Sequence, residues 1–481
     1  MNLFCKTACT LAGFSLLFQG CANRSKLRFD AISQKAGADN YEEAIGLVRK
    51  NKSLYGNDSK LLYAMDVGIL YHYAGKYDSS IAALSEAVKI HDDLFAKSIS
   101  NEAAALVTND NTRPYRGKPY EIILLHEILA FNYLALGKSE DAMVEIRQAQ
   151  LYLDEVKRKA NKSDKNNKEF KEDGMFRYLS SILYLNAKQK DDAAIAAYQS
   201  VKAYRDKTSP IPLPNTVANF TTATLKNADR KNDLDELALP PADIDAGGSE
   251  IIVIGHAGRA PYLGQNVFWG TWAKDGVLVI HYKDANGKEV TSVLPAPGLS
   301  DNEVAKAGKG QRTRSGTTFH IKFAMPEKTS VNSRTRFFTI AGEAAPNPIK
   351  TESLTDLDPL LANDLDANFT SILMRTVIRV VLRTYAAEET KSAISGSNPI
   401  LNLILNIGTD ALSDQLEQAD TRNWFLLPRT VQIARIPVKP GNHSLSVEAH
   451  DGVGATLSRK DFSNIEVKPG EKKFIFYSSL K

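Results

Sequence analysis

The chain has 481 residues, a formal net charge of +4 and an apolar fraction of 43%. This length corresponds to about two to four domains, and the apolar content is ample for sizeable hydrophobic cores. Because basic and acidic residues are mixed along most of the chain, neither a dedicated nucleic-acid surface nor a nucleic-acid partner is expected.

The N-terminal residues, MNLFCKTACTLAGFSLLFQGC, have the proportions of a secretory signal. Lys6 makes the start positive, an apolar stretch follows, and the small residue Gly20 stands before Cys21. The apolar stretch is shorter than the roughly 20 residues that span a bilayer. Residues 1–20 are therefore predicted to be a signal peptide.

An apolar stretch that ends in a small residue and a cysteine resembles the lipobox of bacterial lipoproteins. Phe18 and Gln19 depart from the leucine and small residue that are usual there. The resemblance implies that Cys21 is lipidated and that its acyl chains, such as palmitate, hold the protein on a membrane, each methylene contributing about 0.8 kcal/mol. Ala22 follows the cysteine, with no aspartate there. The resemblance to lipoproteins of Gram-negative bacteria then implies the outer membrane, facing the periplasm. An ordinary cleaved signal is the alternative.

The cysteine content agrees with lipidation. The chain has three cysteines, and Cys5 and Cys9 lie in the segment that is removed. No pair remains to form a disulfide, although an exported protein can use one.

Three copies of a helical pattern lie in the first half of the chain. They begin at Leu61, Leu124 and Met175, and the first two align on Gly75 and Gly137. A small residue, a tyrosine three positions later, a glycine four after that and an alanine-rich amphipathic helix resemble the tetratricopeptide repeat (TPR). Small residues let two helices approach closely, and the glycine ends the first helix in a left-handed conformation.

The spacing between the copies exceeds the usual period of about 34 residues. Insertions are therefore expected near residues 92–120 and 157–174. The pattern predicts a TPR-like helical domain over residues 21–229. Paired prolines and glycines then predict a linker over residues 230–249.

In the TPR pattern the first helix of each pair lines a concave groove. The positions that map to this groove are Met65, Ile69, Tyr73, Glu127, Phe131, Leu134, Tyr178 and Ile182. The groove is mostly apolar and aromatic, which suits the apolar face of a partner helix or an extended chain. The alternative is that an inserted segment or another domain fills it, because exposed apolar patches rarely stay uncovered.

After the linker the pattern changes from helix to strand. Runs such as EIIVIG and TRFFTIA predict a β-rich domain over residues 250–345. Two similar segments, IPVKPGNHSLSVEA and IEVKPGEKKFIFYS, each place a proline–glycine turn between strands and predict a β-rich segment over residues 424–481. An antiparallel sandwich is expected, and whether the two β segments form one domain or two stays open.

A helical hairpin insert is predicted between the β segments, over residues 357–419. Arg375, Arg379 and Arg383 stand four residues apart and share one helix face. They are candidates for binding an anionic ligand, such as lipid headgroups or a cell-wall polymer. The alternative is the exposed edge of a buried helix, with the arginines paired to carboxylates.

Motifs for catalysis or metal binding were not found. HEILA at His126 lacks the second histidine of a zinc-protease helix, and no serine lies in a nucleophile elbow. The histidines show no metal-ligand spacing. No catalytic residue, metal or cofactor is predicted.

Two segments, PYRGKPYEIILLHEILAFNYLALGKSEDAMVEIRQA and DTRNWFLLPRTVQIARIPVKPGNHSL, resemble an uncharacterised family of bacterial lipoproteins with TPR repeats. The resemblance covers most of the mature chain. It implies an α+β multidomain protein in the cell envelope, and it ranks a cell-wall synthase or its regulator among the envelope proteins that are partners.

The resulting prediction is a non-enzymatic scaffold. The alternative is a binder of peptidoglycan or anionic lipid, or an envelope hydrolase, that acts through the C-terminal region.

Overall fold

The computed structural model describes residues 30–97, 113–163, 174–273, 277–283, 289–295, 318–389 and 419–481. The predicted signal peptide and Cys21 lie outside these residues. The helices of the described part are α1 (30–37), α2 (Tyr41–Lys50), α3 (Lys60–Tyr73), α4 (Tyr77–Lys97), α5 (Pro119–Ala135), α6 (Ser139–Ser163), α7 (Gly174–Asn186), α8 (Lys190–Arg205), α9 (Asn215–Asn227), α10 (Lys231–Leu237) and α11 (Leu357–Glu389).

Helices α3 to α8 form three successive pairs of the TPR type, each joined by a short turn. In the first pair, Gly68 allows a close approach, since a Cβ atom there would lie 2.3 Å from Leu84 Cδ2. Gly75 and Gly137 end the first helices with φ angles of 72° and 71°. In the third pair Lys188 adopts the same left-handed conformation, at φ 60°. The TPR-like helical half is therefore confirmed, with a non-glycine residue in the third turn.

The expected insertions between the copies partly lengthen the second helices. Helices α4 and α6 continue to Lys97 and Ser163. Residues 98–112 and 164–173 of these insertions fall outside the described part, and residues 113–118 lead into α5.

Twelve strands lie in the described part of the second half. They are β1 (Glu250–Ala257), β2 (Tyr262–Ala273), β3 (Val277–Lys283), β4 (Glu289–Pro295), β5 (Thr318–Thr329), β6 (Phe337–Ala341), β7 (Ile349–Lys350), β8 (Glu352–Asp356), β9 (Thr430–Pro437), β10 (Gly441–His450), β11 (Thr456–Val467) and β12 (Lys472–Ser479). They form three four-stranded sheets.

Two of these sheets pack face to face as a sandwich. The central sheet has the order β12-β1-β9-β8, and the outer sheet has the order β11-β10-β6-β7. Their shared core contains Ile251 and Val253 of β1, Phe338 and Ile340 of β6, and Val447 of β10. Strands from both predicted β segments therefore build one sandwich.

One strand pair departs from the predicted antiparallel sandwich. Strands β1 and β12 are parallel, and Ile252 and Ile254 stand opposite Phe474 and Phe476. The other edge of β1 is taken by β9. The chain crosses from the outer sheet at the end of β11, and this parallel register puts both phenylalanines on the same face as the two isoleucines. The α+β class, helical repeats followed by mostly antiparallel sheets, is confirmed.

The third sheet stands beside the sandwich with the antiparallel order β4-β3-β2-β5. Helix α11 packs along β5. It corresponds to the first half of the predicted hairpin, whose second half falls in residues 390–418, outside the described part. Among the described residues, no helix combines the length and the apolar character needed to cross a membrane.

Candidate functional site: the concave face of the helical array

The concave face of the helical array holds the central β sheet of the same chain. The sheet presents Ile252, Ile254, Ile433, Phe474 and Phe476 to the helices, in one continuous hydrophobic core. The predicted groove residues are all buried, with exposures of 8% or less: Met65, Ile69, Tyr73, Glu127, Phe131, Leu134, Tyr178 and Ile182. In this structure the groove is thus filled from within and is not open to a partner.

A small cavity lies at one point between the helices and the sheet. This cavity of about 10 Å³ lies between Glu127, Phe131 and Leu134 on α5 and Phe474 on β12. It has room for about one water molecule. The sheet therefore fits the concave face closely at this point.

An aromatic cluster joins α3 and α5 to the sheet. The ring of His72 lies 5.0 Å from that of His256 and 5.6 Å from that of Phe476, and Phe131 lies 5.3 Å from Phe476. His72 Nδ1 donates to Asn132 Oδ1 at 2.7 Å. Burial lowers the pKa of His72 to about 4, and burial together with the nearby His72 lowers the pKa of His256 well below its usual value. Both imidazoles are thus neutral at pH 7.

A buried ion network joins α7 to the sheet. Arg435 on β9 donates through Nε to Glu250 Oε2 at 2.8 Å, and Lys472 Nζ lies 2.7 Å from Glu250 Oε1. A second nitrogen of Arg435 donates to Tyr178 Oη at 2.9 Å, and the guanidinium lies 4.0 Å from the centre of the Phe220 ring. Burial opposes ionisation of Glu250, but the two cations outweigh it and lower its pKa.

The segment before β9 inserts beside α5. The buried Trp424 donates its backbone N–H to Glu121 Oε1 at 2.8 Å, and the hydroxyl of Tyr115 donates to the other carboxylate oxygen. Burial raises the pKa of Glu121. Tyr73, a predicted groove residue, donates its hydroxyl to the carbonyl of Leu426 at 2.9 Å. The first half of the chain therefore recognises this segment through specific hydrogen bonds.

The C-terminus closes against the first helices. Asp39 has a φ angle of 58° and accepts from the backbone N–H of Leu480 at 2.7 Å and from Ser479 Oγ at 3.1 Å. It also accepts from the hydroxyl of Tyr41 at 2.9 Å. The two ends of the described chain are thus tied together.

The predicted arginine stripe lies on α11 but is not an exposed row. Arg379 is 2% exposed and donates to Thr376 Oγ1, whereas Arg375 is partly buried. The side chain of Arg383 falls outside the described part. Arg379, the middle arginine of the stripe, is therefore in the interior. The binding of an anionic ligand by this stripe stays a prediction.

Sequence reasoning missed the residues that fasten the sheet, including Arg435, Glu250 and Trp424. One signal was present: EIIVIG is apolar without alternation, which is typical of a strand covered on both faces. Strand β1 is indeed buried along its whole length.

Within the described residues, no group of three or more histidine, cysteine, aspartate or glutamate side chains converges to hold a metal ion. The arrangement is an interior packing interface. It packs the helical array against the sandwich. Protonation of the neutral histidines, or loss of a charge from the ion network, would weaken this packing.

No family model and no curated protein matches this chain. Solved structures similar to it include MamA of AMB-1, with 14% identity and a TM-score of 0.26, covering 45% of this chain and 91% of that one. A Podosopora anserina kinesin light chain protein with nearly identical TPR-like repeats has 14% identity and a TM-score of 0.30, with coverage of 45% and 92%. MamA of MSR-1 has 14% identity and a TM-score of 0.25, with coverage of 45% and 97%.

Proposed function

We propose that this protein is an outer-membrane lipoprotein, anchored through Cys21 and facing the periplasm, that acts as a non-enzymatic scaffold for envelope proteins. The observation that carries the proposal is the self-filled helical array. Its interior contacts make the repeats and the sandwich one unit, so that partners meet the outer surfaces.

The outer surface of the array has apolar side chains that suit a protein partner. Val144 and Leu151 stand one above the other on α6, and Ile195 lies on α8; all three are exposed. The concave face, in contrast, is already covered by the sheet.

In-cell photo-crosslinking of the full-length protein tests this assignment. A crosslinking amino acid at Leu151 is expected to capture an envelope protein, whereas one at Met65 is expected to capture only the chain's own sheet. Cys21→Ser serves as the localisation control and should abolish palmitate labelling. If the crosslinker at Met65 captured a partner, the sheet would have to leave the groove. If the crosslinker at Leu151 captured no protein, the proposal that partners bind the outer surface would be contradicted.

The finer proposal is that the partner is a cell-wall synthase or its regulator. It rests on the family resemblance of the sequence. Purified protein should then change the rate of glycan polymerisation or crosslinking by a synthase in vitro. No change across several synthases would remove this proposal and leave the scaffold role standing.

A further inference from the structure

The third sheet has one covered face and one exposed face. On the covered face, Phe268 and Phe323 are buried and stack with ring centroids 5.5 Å apart. Helix α11 packs along β5, and its Leu373 is also buried. Side chains alternate along a strand, so the neighbours of Phe268 in β2 point to the opposite face.

The opposite face carries exposed apolar side chains on separate strands. Trp269 and Val267 on β2 are 42% and 36% exposed, and Val293 on β4 is 66% exposed. The strand register places all three on one face of the sheet. Val293 pairs with Val279, and Val279 pairs with Thr271. Thr271 is two residues from Trp269 and therefore points to the same face.

His281, which pairs with Trp269, lies with Thr271 and Val279 between Trp269 and Val293, so polar side chains are interspersed among the apolar ones. Exposed apolar groups bordered by polar residues mark an interaction surface. We call Val267, Trp269 and Val293 the exposed sheet face.

The start of the described chain lies at the base of this sheet. Arg259, three residues before β2 begins, donates to the carbonyl and the hydroxyl of Ser33 on α1, at 3.3 and 3.0 Å. The chain between Cys21 and α1 can span at most about 30 Å. The seven residue-to-residue steps of β2 from Tyr262 to Trp269 rise about 23 Å. A membrane that holds a lipid on Cys21 is therefore within reach of the exposed sheet face.

We propose that the exposed sheet face docks on the surface of the phospholipid bilayer. Tryptophan combines a large apolar ring with an N–H donor and is enriched where the hydrocarbon region meets the headgroups. The two valines add apolar area on the same side. The contact would orient the protein against the membrane. The proposal rests on the proposed lipid anchor for its biological setting.

Vesicle binding by an unlipidated chain tests the docking apart from the anchor. The mature chain from Ala22 keeps every described residue and lacks both the signal segment and Cys21. It is mixed with vesicles of phosphatidylethanolamine and phosphatidylglycerol, and binding is measured by co-sedimentation and by quenching of tryptophan fluorescence with brominated lipid.

Trp269→Glu and Val293→Glu should each weaken vesicle binding at least about tenfold, which is ~1.4 kcal/mol. Val293→Glu is included beside Trp269→Glu because Val293 is 66% exposed, so that replacing it leaves the core intact. Val453→Glu is the matched control, since Val453 is 92% exposed in the turn between β10 and β11, and it should bind as the wild type does. Circular dichroism verifies the fold of each variant.

Three outcomes would overturn the docking proposal. The first is that the chain does not bind vesicles, and the second is that both glutamate variants bind as well as the wild type. The third is self-association in sedimentation velocity that Trp269→Glu abolishes, because the face would then be an interface between copies of the chain. The anchor is judged separately by palmitate labelling at Cys21 in cells. Its failure would remove the lipoprotein assignment without deciding the vesicle result.

Discussion

The buried ion network predicts an unequal response to the loss of its members. One carboxylate, Glu250, is shared by Arg435 and Lys472, and the exposures of the three side chains lie between 2% and 6%. Replacing Glu250 with glutamine leaves two buried cations without an anion. Replacing Arg435 with methionine leaves one neutralised pair, Glu250 with Lys472. The order of destabilisation should therefore be Glu250→Gln above Arg435→Met.

The magnitudes follow from the same contacts. Removing one partner of a buried ion pair costs about 3–5 kcal/mol, which is the loss in the free energy of unfolding expected for Glu250→Gln. Arg435→Met removes hydrogen bonds to a charged group, worth about 1.5–3 kcal/mol. Methionine keeps much of the apolar contact with Phe220, so a loss within that lower range is expected.

The assay is denaturant unfolding of the mature chain at pH 7, followed by far-ultraviolet circular dichroism and tryptophan fluorescence. Lys473→Met is the matched control, because Lys473 is 37% exposed and surface substitutions usually stay within about 0.5 kcal/mol. If Arg435→Met destabilises more than Glu250→Gln, the charge argument fails.

Acid should weaken the same contact. Since the folded pKa of Glu250 is lowered, its contribution to stability is present above the unfolded pKa of about 4.3. It is lost as the pH falls through the lowered folded value. Glu250→Gln should therefore show a smaller loss of stability on acidification, measured by unfolding at a series of pH values.

Two further predictions concern the helical array. Burial holds the pKa of His72 at about 4, so the unfolded chain binds more protons below its usual pKa of about 6.5. His72 alone should therefore lower the free energy of unfolding by up to about 1.4 kcal/mol for each unit by which the pH falls between these values. His72→Gln should make the free energy of unfolding less dependent on pH, although the buried His256 still contributes a pH dependence of its own. If the pH dependence is the same in the variant and the wild type, His72 is not the group responsible. Gly68→Ala should destabilise by about 1–3 kcal/mol through its clash with Leu84. In the same unfolding assay Gly46→Ala, where a Cβ meets nothing within 4 Å, should be neutral or stabilising, and equal effects would refute the packing argument.

The repeats were predictable because their determinants are local. Gly75 and Gly137 end helices in a left-handed conformation, and Gly68 lets the next helix approach. The third turn lacks glycine, yet the rest of the pattern was enough to place it, and Lys188 accepts the positive φ angle. The TPR-like array therefore follows from short-range patterns of residue size and backbone freedom.

The strands were also predictable, but their arrangement was not. Proline–glycine turns precede both β10 and β12, and each turn carries the chain from one sheet of the sandwich to the other. A turn sequence predicts that the chain reverses its direction. It does not predict which strand the next segment will pair with. The parallel partnership of β1 and β12 depends on which edge of β1 is left open by β9.

By itself, the sequence determined the helical repeats, the strand-rich second half and the apolar character of the concave face. Only the tertiary structure decided what covers that face. An apolar groove has the same sequence pattern whether it binds a partner protein or packs against a sheet of the same chain. The contacts that distinguish the two join distant residues, as when Arg435 donates to Tyr178 across 257 positions. Such pairs form only when three strands assemble into a surface that matches the helices in shape and charge.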